Sequence, residues 1–254
     1  MDQSAAPRVT FGRTLLRLGR ISNLPTVWSN CLAGAGLGTA GLALPGFRLI
    51  ALAAVSMSLV YTGGMFLNDA FDREHDRTRA PERPIPAGAI RAGTVLGLGF
   101  LQLVLGIVGV AVASVRFSAG GSPLAIAAAI ALVLLVVLYD LWHKANPLSP
   151  VLMGGCRALV YVTVGLLASG GRAQPAIWFG SVAILLYVVG LTWLAKAEAR
   201  GLSLRRVGGF ATLIAGISIV DALLLASVGR FAWAAVALSG FPATLWLQRW
   251  VRGT

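Results

Sequence analysis

Charge is scarce in this sequence. Only 12% of its 254 residues are Asp, Glu, Lys or Arg, against about 25% in a soluble domain, which argues against a water-soluble globule. Acids are the scarcest, nine in all against 21 lysines and arginines. With two histidines and two cysteines, Cys31 and Cys156, both inside apolar runs, there is no material for a disulfide scaffold or a cysteine-based zinc site. What the chain has instead is apolar surface: 57% hydrophobic residues and a mean hydropathy of +0.81, a composition opposite to that of disordered chains. Its 31 glycines suit close helix packing in a bilayer. The composition defines an all-α polytopic membrane protein.

A spanning helix needs roughly 20 mostly apolar residues. Eight segments qualify, at about 21–43, 48–69, 93–114, 122–139, 151–169, 176–195, 207–228 and 231–247. The first is the least apolar, interrupted by Ser22, Asn23, Pro25, Ser29 and Asn30. Residues 1–20 carry Arg8, Arg13, Arg17 and Arg20 without a compact apolar region and cleavage site. They read as an interfacial lead-in, not a signal peptide. Of the 21 cations, 16 fall on one side of these spans and four (Arg48, Arg116, Arg172 and Arg230) on the other, with Arg157 inside a span. The positive-inside bias then puts both termini in the cytoplasm, as expected for a bacterial inner (plasma) membrane protein. Topology accounts for most of the net charge of +12, so nucleic acid is not an expected partner.

Four of the nine acids lie in one stretch, Asn68-Asp69-Ala70-Phe71-Asp72-Arg73-Glu74-His75-Asp76. Continuing the second span as a helix puts Asn68, Asp72 and Asp76 at i, i+4 and i+8 on one face. Like charges at that spacing oppose a helix by about 0.2–0.5 kcal/mol in water, and more where water is scarce. A hard divalent cation is the natural compensation: magnesium takes one or two carboxylates and completes its shell with water and substrate phosphate. The blander alternative is a solvated helix end whose acids pair with Arg73, Arg77 and Arg79. Against it stands the continuation Arg77-Thr78-Arg79-Ala80-Pro81-Glu82-Arg83-Pro84-Ile85-Pro86-Ala87-Gly88, a proline-stiffened run of arginines, whose planar forks match phosphate oxygens. Metal ligands beside phosphate clamps describe a site for a diphosphate–magnesium complex at the bilayer surface.

These residues resemble the UbiA superfamily of intramembrane prenyltransferases. The resemblance rests on Asn68-Asp69-x-x-Asp72-x-x-x-Asp76 followed by Arg83-Pro84-Ile85-Pro86-x-Gly88, with Arg20-x-x-Asn23-x-Pro25 before the first span and Tyr139 and Lys144 after the fourth. It covers nearly the whole chain and implies a single domain over 1–254, a bundle of about eight transmembrane helices around a central cavity. Loops after spans two and six would cap that cavity. It further implies transfer of a prenyl group from an isoprenoid diphosphate, with Mg2+ on Asn68, Asp72 and Asp76, to a hydrophobic acceptor of aromatic or quinone-precursor type. Two departures stand out. The family has nine helices where eight are counted here. Its second aspartate-rich segment is replaced by Leu191-Thr192-Trp193-Leu194-Ala195-Lys196-Ala197-Glu198-Ala199-Arg200-Gly201, in which Glu198 is the only acid. A second magnesium is therefore not expected, and Lys196 and Arg200 are candidates to carry diphosphate charge.

Arg77, Arg79, Arg83 and Lys144 are the expected leaving-group clamps, and Arg20, Asn23 and Tyr139 complete the substrate-binding set. Asp69 and Asp140 are candidate bases near the acceptor. Arg157, about two turns into its span, either marks a site or snorkels to the interface. Asp221 is expected to snorkel from the far end of its span in a structural role. Asn23 and Asn30 share a helix face and either line the cavity or bond to neighbouring helices. Tyr139, Tyr161 and Tyr187 either shield a carbocation or anchor the interface, the role expected of Trp142, Trp178 and Trp193. His143 reads as a solvated loop residue and His75 as facing away from the metal. Two rivals remain. One is a non-catalytic carrier of an isoprenoid or anionic lipid, suggested by the missing acidic segment. The other is a phospho-sugar transferase acting on polyprenyl phosphate.

Overall fold

The computed structural model describes residues 11–144, 146–198 and 209–251. Arg8, Arg200, Arg205, Arg206 and Arg252 lie outside them. All regular structure among the described residues is helical. A short amphipathic helix α1 (Phe11–Leu18) leads through a 3-10 turn (Ile21–Asn23) into α2 (Leu24–Gly38). There follow α3 (Phe47–Phe71), α4 (Arg73–Arg79), α5 (Ala92–Phe117), α6 (Pro123–Trp142), α7 (Ser149–Ala168), α8 (Pro175–Glu198), α9 (Gly209–Ala215), α10 (Ile217–Ser227) and α11 (Phe231–Gln248).

Six of these stretches are long and apolar enough to cross a bilayer: α3, α5, α6, α7, α8 as far as Lys196, and α9–α10 together as Gly209–Ser227. Their outward faces carry Phe100, Leu101, Val104, Leu105, Val108, Val182 and Leu186, all exposed, as lipid-facing residues should be. The protein is an integral membrane protein. Of the eight expected spans, the first is shortened. Its α2 has 15 residues, because Ile21–Asn23 coil into the 3-10 turn and the chain turns away at Thr39. That helix is also the most enclosed, with all but Leu24, Trp28 and Leu32 of its residues buried. Hence its polar residues face neighbouring helices, not lipid. The seventh expected span breaks at Gly216, where the Tyr187 hydroxyl of α8 donates to the Leu213 carbonyl (2.8 Å) and a Cβ on Gly216 would collide with that hydroxyl. An outside side chain entering the ladder is a recognised cause of a kink.

Glycine permits close approach of helix backbones. A Cβ on Gly38 would come within 2.7 Å of the Gly165 Cα on α7, and one on Gly63 within 2.9 Å of the Gly99 carbonyl oxygen on α5. Backbone contact of this kind is how membrane helices gain packing without a hydrophobic drive. The loops sort to two ends. At one, Arg230 donates to the Thr39 and Leu42 carbonyls (2.6 Å each), and Ser118 to the Leu167 carbonyl (2.7 Å). The other end holds the charged segments.

Candidate active site

The acid-rich stretch forms the end of α3 and the start of α4. The helical bonds run through the junction, Asp72 N–H to Asn68 carbonyl and Asp76 N–H to Asp72 carbonyl, both 2.9 Å. The i, i+4, i+8 register is therefore kept. Asn68, Asp69, Asp72 and Asp76 are all buried, at 8, 7, 8 and 4% exposure, which rules out a solvated helix end.

Each carboxylate is met by a cation from a different segment. Arg83 Nη1 lies 2.7 Å from Asp76 Oδ2 and 3.8 Å from Asp69 Oδ1. Arg20 Nη2 lies 3.5 Å from the same Asp69 oxygen. At the end of α6, Lys144 Nζ is 2.9 Å from Asp72 Oδ1 and His143 Nε2 is 3.4 Å from Asp72 Oδ2. Burial alone would raise the Asp72 carboxyl, but hydrogen bonds from His143 and Lys144 outweigh it and hold the group below its ordinary value. His143 is raised in turn, chiefly by its bond to Asp72. Burial works against the charge on Arg83, yet Asp76 and Asp69 keep that guanidinium above its ordinary value.

The sequence explains how those cations are placed. In the segment after α4, Ala87 N–H bonds the Arg83 carbonyl and Ala89 N–H the Pro84 carbonyl (2.9 Å each). Ile85 and Ile90 pack with Leu18, Phe66, Ala70 and Val95 in an apolar cluster that fixes the loop beside the end of α3. Arg20 has φ 43°, a left-handed conformation that is costly for a side-chain-bearing residue and of the sort held at functional sites. It links α1 to the 3-10 turn and aims at Asp69.

Beside this cluster lies a cavity of about 170 Å³, lined by Arg20, Asn23, Tyr139 and Asp140 near the acids and by Val60, Tyr61, Gly64, Met65, Val136, Met153, Cys156, Arg157, Val188 and Leu191, among others. Its walls are mainly apolar. Asp140 lies beside Asn68, and its Oδ2, like Asp69 Oδ1, is buried without a hydrogen-bond donor.

The structure thus gathers Arg20, Asn68, Asp69, Asp72, Asp76, Arg83, Tyr139, Asp140 and Lys144 in one region. Asn23 joins them through Tyr61, whose hydroxyl accepts from its amide at 3.2 Å. Arg77 is exposed and pairs with Glu74 (2.7 Å), and Arg79 is exposed. Lys196 bonds Ser149 Oγ (2.7 Å), whereas the Glu198 side chain and Arg200 lie outside the described residues. Arg157 does not snorkel: it donates to Asn30 Oδ1 (2.7 Å) and Thr26 Oγ1 (3.1 Å), with its guanidinium 5.6 Å from the Tyr61 ring centroid.

Two expectations need correction. Asp221 is fully buried rather than snorkelling, and accepts from Ser29 (2.5 Å), Asn30 (2.9 Å) and Tyr161. Three neutral donors on neighbouring helices outcompete the interface for it. His143 is not a solvated loop residue, because the turn at the end of α6 carries it onto Asp72 and stacks it on Tyr139 at 5.1 Å. Tyr61 was missed altogether, although it lies seven residues before Asn68, on the same face of α3.

Among the described residues, no three His, Cys, Asp or Glu side chains form a ready-made metal cage. Magnesium does not need one, since it retains waters and substrate phosphates. The carboxylates here, together with the Asn68 amide and the unused lone pairs on Asp69 and Asp140, are hard oxygen donors that fit such an ion.

Residues 23–253 match the UbiA prenyltransferase family, and the chain belongs to it. The protoheme IX farnesyltransferase of Leptospira biflexa is 28% identical over 169 residues, 66% of this chain and 57% of that protein. The digeranylgeranylglyceryl phosphate synthase of Ignicoccus hospitalis is 33% identical over 179 residues, 70% of this chain and 52% of that protein. The alignments thus span little more than half the length of these relatives. A solved UbiA homolog from Archaeoglobus fulgidus, bound to GPP and Mg2+, shares the fold with a TM-score of 0.58 at 15% identity, over 93% of this chain and 86% of the other.

Proposed function

We propose that this protein is a Mg2+-dependent intramembrane prenyltransferase that moves a prenyl group from an isoprenoid diphosphate to a hydrophobic acceptor in the cavity. The observation that carries the reading is the set of buried acids Asp69, Asp72 and Asp76, each paired with a cation, beside an apolar hollow. The GPP and Mg2+ bound to the Archaeoglobus homolog agree with it. On this reading 1–254 is one domain whose helices, α2 and α11 included, make eight spans around the cavity. The acid cluster then faces the cytoplasm of a bacterial inner membrane.

Asn68, Asp72 and Asp76 would hold magnesium, which supplies Lewis-acid relief of the diphosphate charge. With the carboxylates engaged by the metal, Lys144 and Arg83 would be free to meet phosphate oxygens, with Arg83 offering a bidentate fork. Arg20 holds Asp69 and borders the cavity. Cations held where negative charge develops on the leaving group stabilise the transition state. The apolar walls keep water from the electron-poor prenyl carbon. Asp140, buried at the cavity edge with one oxygen free of donors, takes the proton that the acceptor loses. Arg77 and Arg79, exposed on α4, and Lys196 at the same charged end add positive charge that draws in the anionic substrate. An aromatic ring of quinone-precursor type suits walls formed by Tyr61, Met65 and Val136.

The test is diphosphate release from labelled GPP by the purified chain. Asp72→Ala and Asp76→Ala should each cut turnover at least a hundredfold, and undiminished turnover in both would overturn the reading. Tight Mg2+-dependent binding without diphosphate release would favour a carrier.

A further inference from the structure

The wall of the cavity away from the acid cluster carries a cation with no acid in contact. Arg157 lies eight residues along α7 from Ser149, the residue that Lys196 bonds at the charged end. At 1.5 Å per residue that is roughly 12 Å along the helix. Its contacts are all neutral: Asn30 Oδ1, Thr26 Oγ1 and the face of Tyr61. No ion pair within 4 Å is formed by Arg157 among the described residues, and of its five N–H groups only two have protein acceptors there. The nearest acid in its network is Asp221, set behind Asn30, which bonds both groups. Asp221 is itself saturated by Ser29, Asn30 and Tyr161. The arrangement is therefore polarised, with its positive end on the cavity and its negative end sealed among α2, α7 and α10. The fixed bonds to Asn30 and Thr26 and the stacking on Tyr61 leave the guanidinium little freedom to reach the interface.

We infer that Arg157 is an anchor for an anionic group, a carboxylate or phosphate monoester, on the acceptor, with Asn30 and Asp221 as its positioning residues. The inference rests on the prenyltransferase reading and adds the acceptor's charge and its orientation. An intramembrane guanidinium needs a partner, and Arg157 lines the hollow proposed to hold the acceptor. A guanidinium on the cavity wall, with Asp221 set behind it, would also oppose positive charge on the prenyl carbon. An acceptor bringing its own anion removes that conflict. It would lie with its anion at Arg157 and its nucleophilic atom toward Asp140 and the diphosphate.

The experiment titrates the purified full-length chain in detergent with two matched pairs of probes. These are 4-hydroxybenzoate against 4-hydroxybenzamide, and a monoacylglycerol phosphate against the corresponding monoacylglycerol. We expect the charged member of at least one pair to bind at least tenfold tighter. The pair that shows the preference identifies the source of the anion. Arg157→Met should abolish the preference and Arg157→Lys retain part of it, while Mg2+-dependent GPP binding changes less than threefold in both. Equal binding within both pairs, no binding of either, or a preference that survives in Arg157→Met would overturn the inference. Loss of GPP binding by the wild-type chain would instead count against the prenyltransferase reading. A variant that fails to fold is recognised by its lost GPP binding, and Arg157→Lys then carries the comparison.

Discussion

Removing the Asp221 carboxylate should loosen three helices at once. The group sits on α10 and accepts from Ser29 and Asn30 of α2 and from Tyr161 of α7. An ordinary interhelical hydrogen bond in a bilayer averages about 0.6 kcal/mol, so three neutral bonds would contribute about 2 kcal/mol. Asp221→Ala does more than delete bonds, because it strands buried donors at about 1–3 kcal/mol each and takes the balancing acid from behind Arg157. Breaking buried charged networks typically costs about 3–5 kcal/mol, and that is the loss expected here. Asp221→Asn keeps an acceptor oxygen and should lose about 1–2 kcal/mol. Unfolding of the detergent-solubilised chain by SDS, followed by tryptophan fluorescence, reads both variants. Tyr161→Phe in the Asp221→Ala background should add almost nothing, since the partners act as one unit. An Asp221→Ala midpoint equivalent to less than about 0.5 kcal/mol of destabilisation would refute the reasoning.

Other consequences are local. Gly38→Ala drives a methyl into the Gly165 backbone and should destabilise by about 1–3 kcal/mol in the same assay. An unchanged midpoint would mean that α2 and α7 do not touch there. Lys144→Met should weaken GPP binding at least tenfold in a Mg2+-saturated titration, because it removes the cation nearest Asp72. Arg77→Ala, which breaks only an exposed pair with Glu74, should change turnover less than about twofold, as surface pairs contribute about 0–1 kcal/mol. The Asp72–His143 pair gives the metal-free protein a pH signature. His143 is raised from 6.5, so its contribution is full below that value and fades as pH rises through the folded pKa. Asp72 is lowered from 3.8, so its contribution is full above that value and fades as pH falls through the folded pKa. The pair therefore stabilises most between about pH 4 and 6.5, and His143→Gln should flatten the upper side of a stability–pH curve.

The helices were readable because long apolar runs leave few alternatives, and the acid cluster because helical spacing survives the α3–α4 junction. Harder to read were features set by what lies across a helix interface. The kink at Gly216 depends on the Tyr187 hydroxyl from another helix, which no local pattern announces. Asp221 looked able to reach an interface until Ser29, Asn30 and Tyr161, each far away in sequence, surrounded it. The arginines of α4 and of the segment after it looked equivalent along the chain. Only the packing of Ile85 and Ile90 turns Arg83 inward while Arg77 remains outside.

A divalent ion should settle on the face shared by Asn68, Asp72 and Asp76. A crystal of the chain grown with Mn2+ and GPP, measured at the manganese edge, tests it directly. An anomalous peak bounded by Asn68, Asp72 and Asp76 is expected, with Lys144 and Arg83 moved from the acids to the phosphates. A peak elsewhere, or bound GPP with both cations still on Asp72 and Asp76, would contradict it.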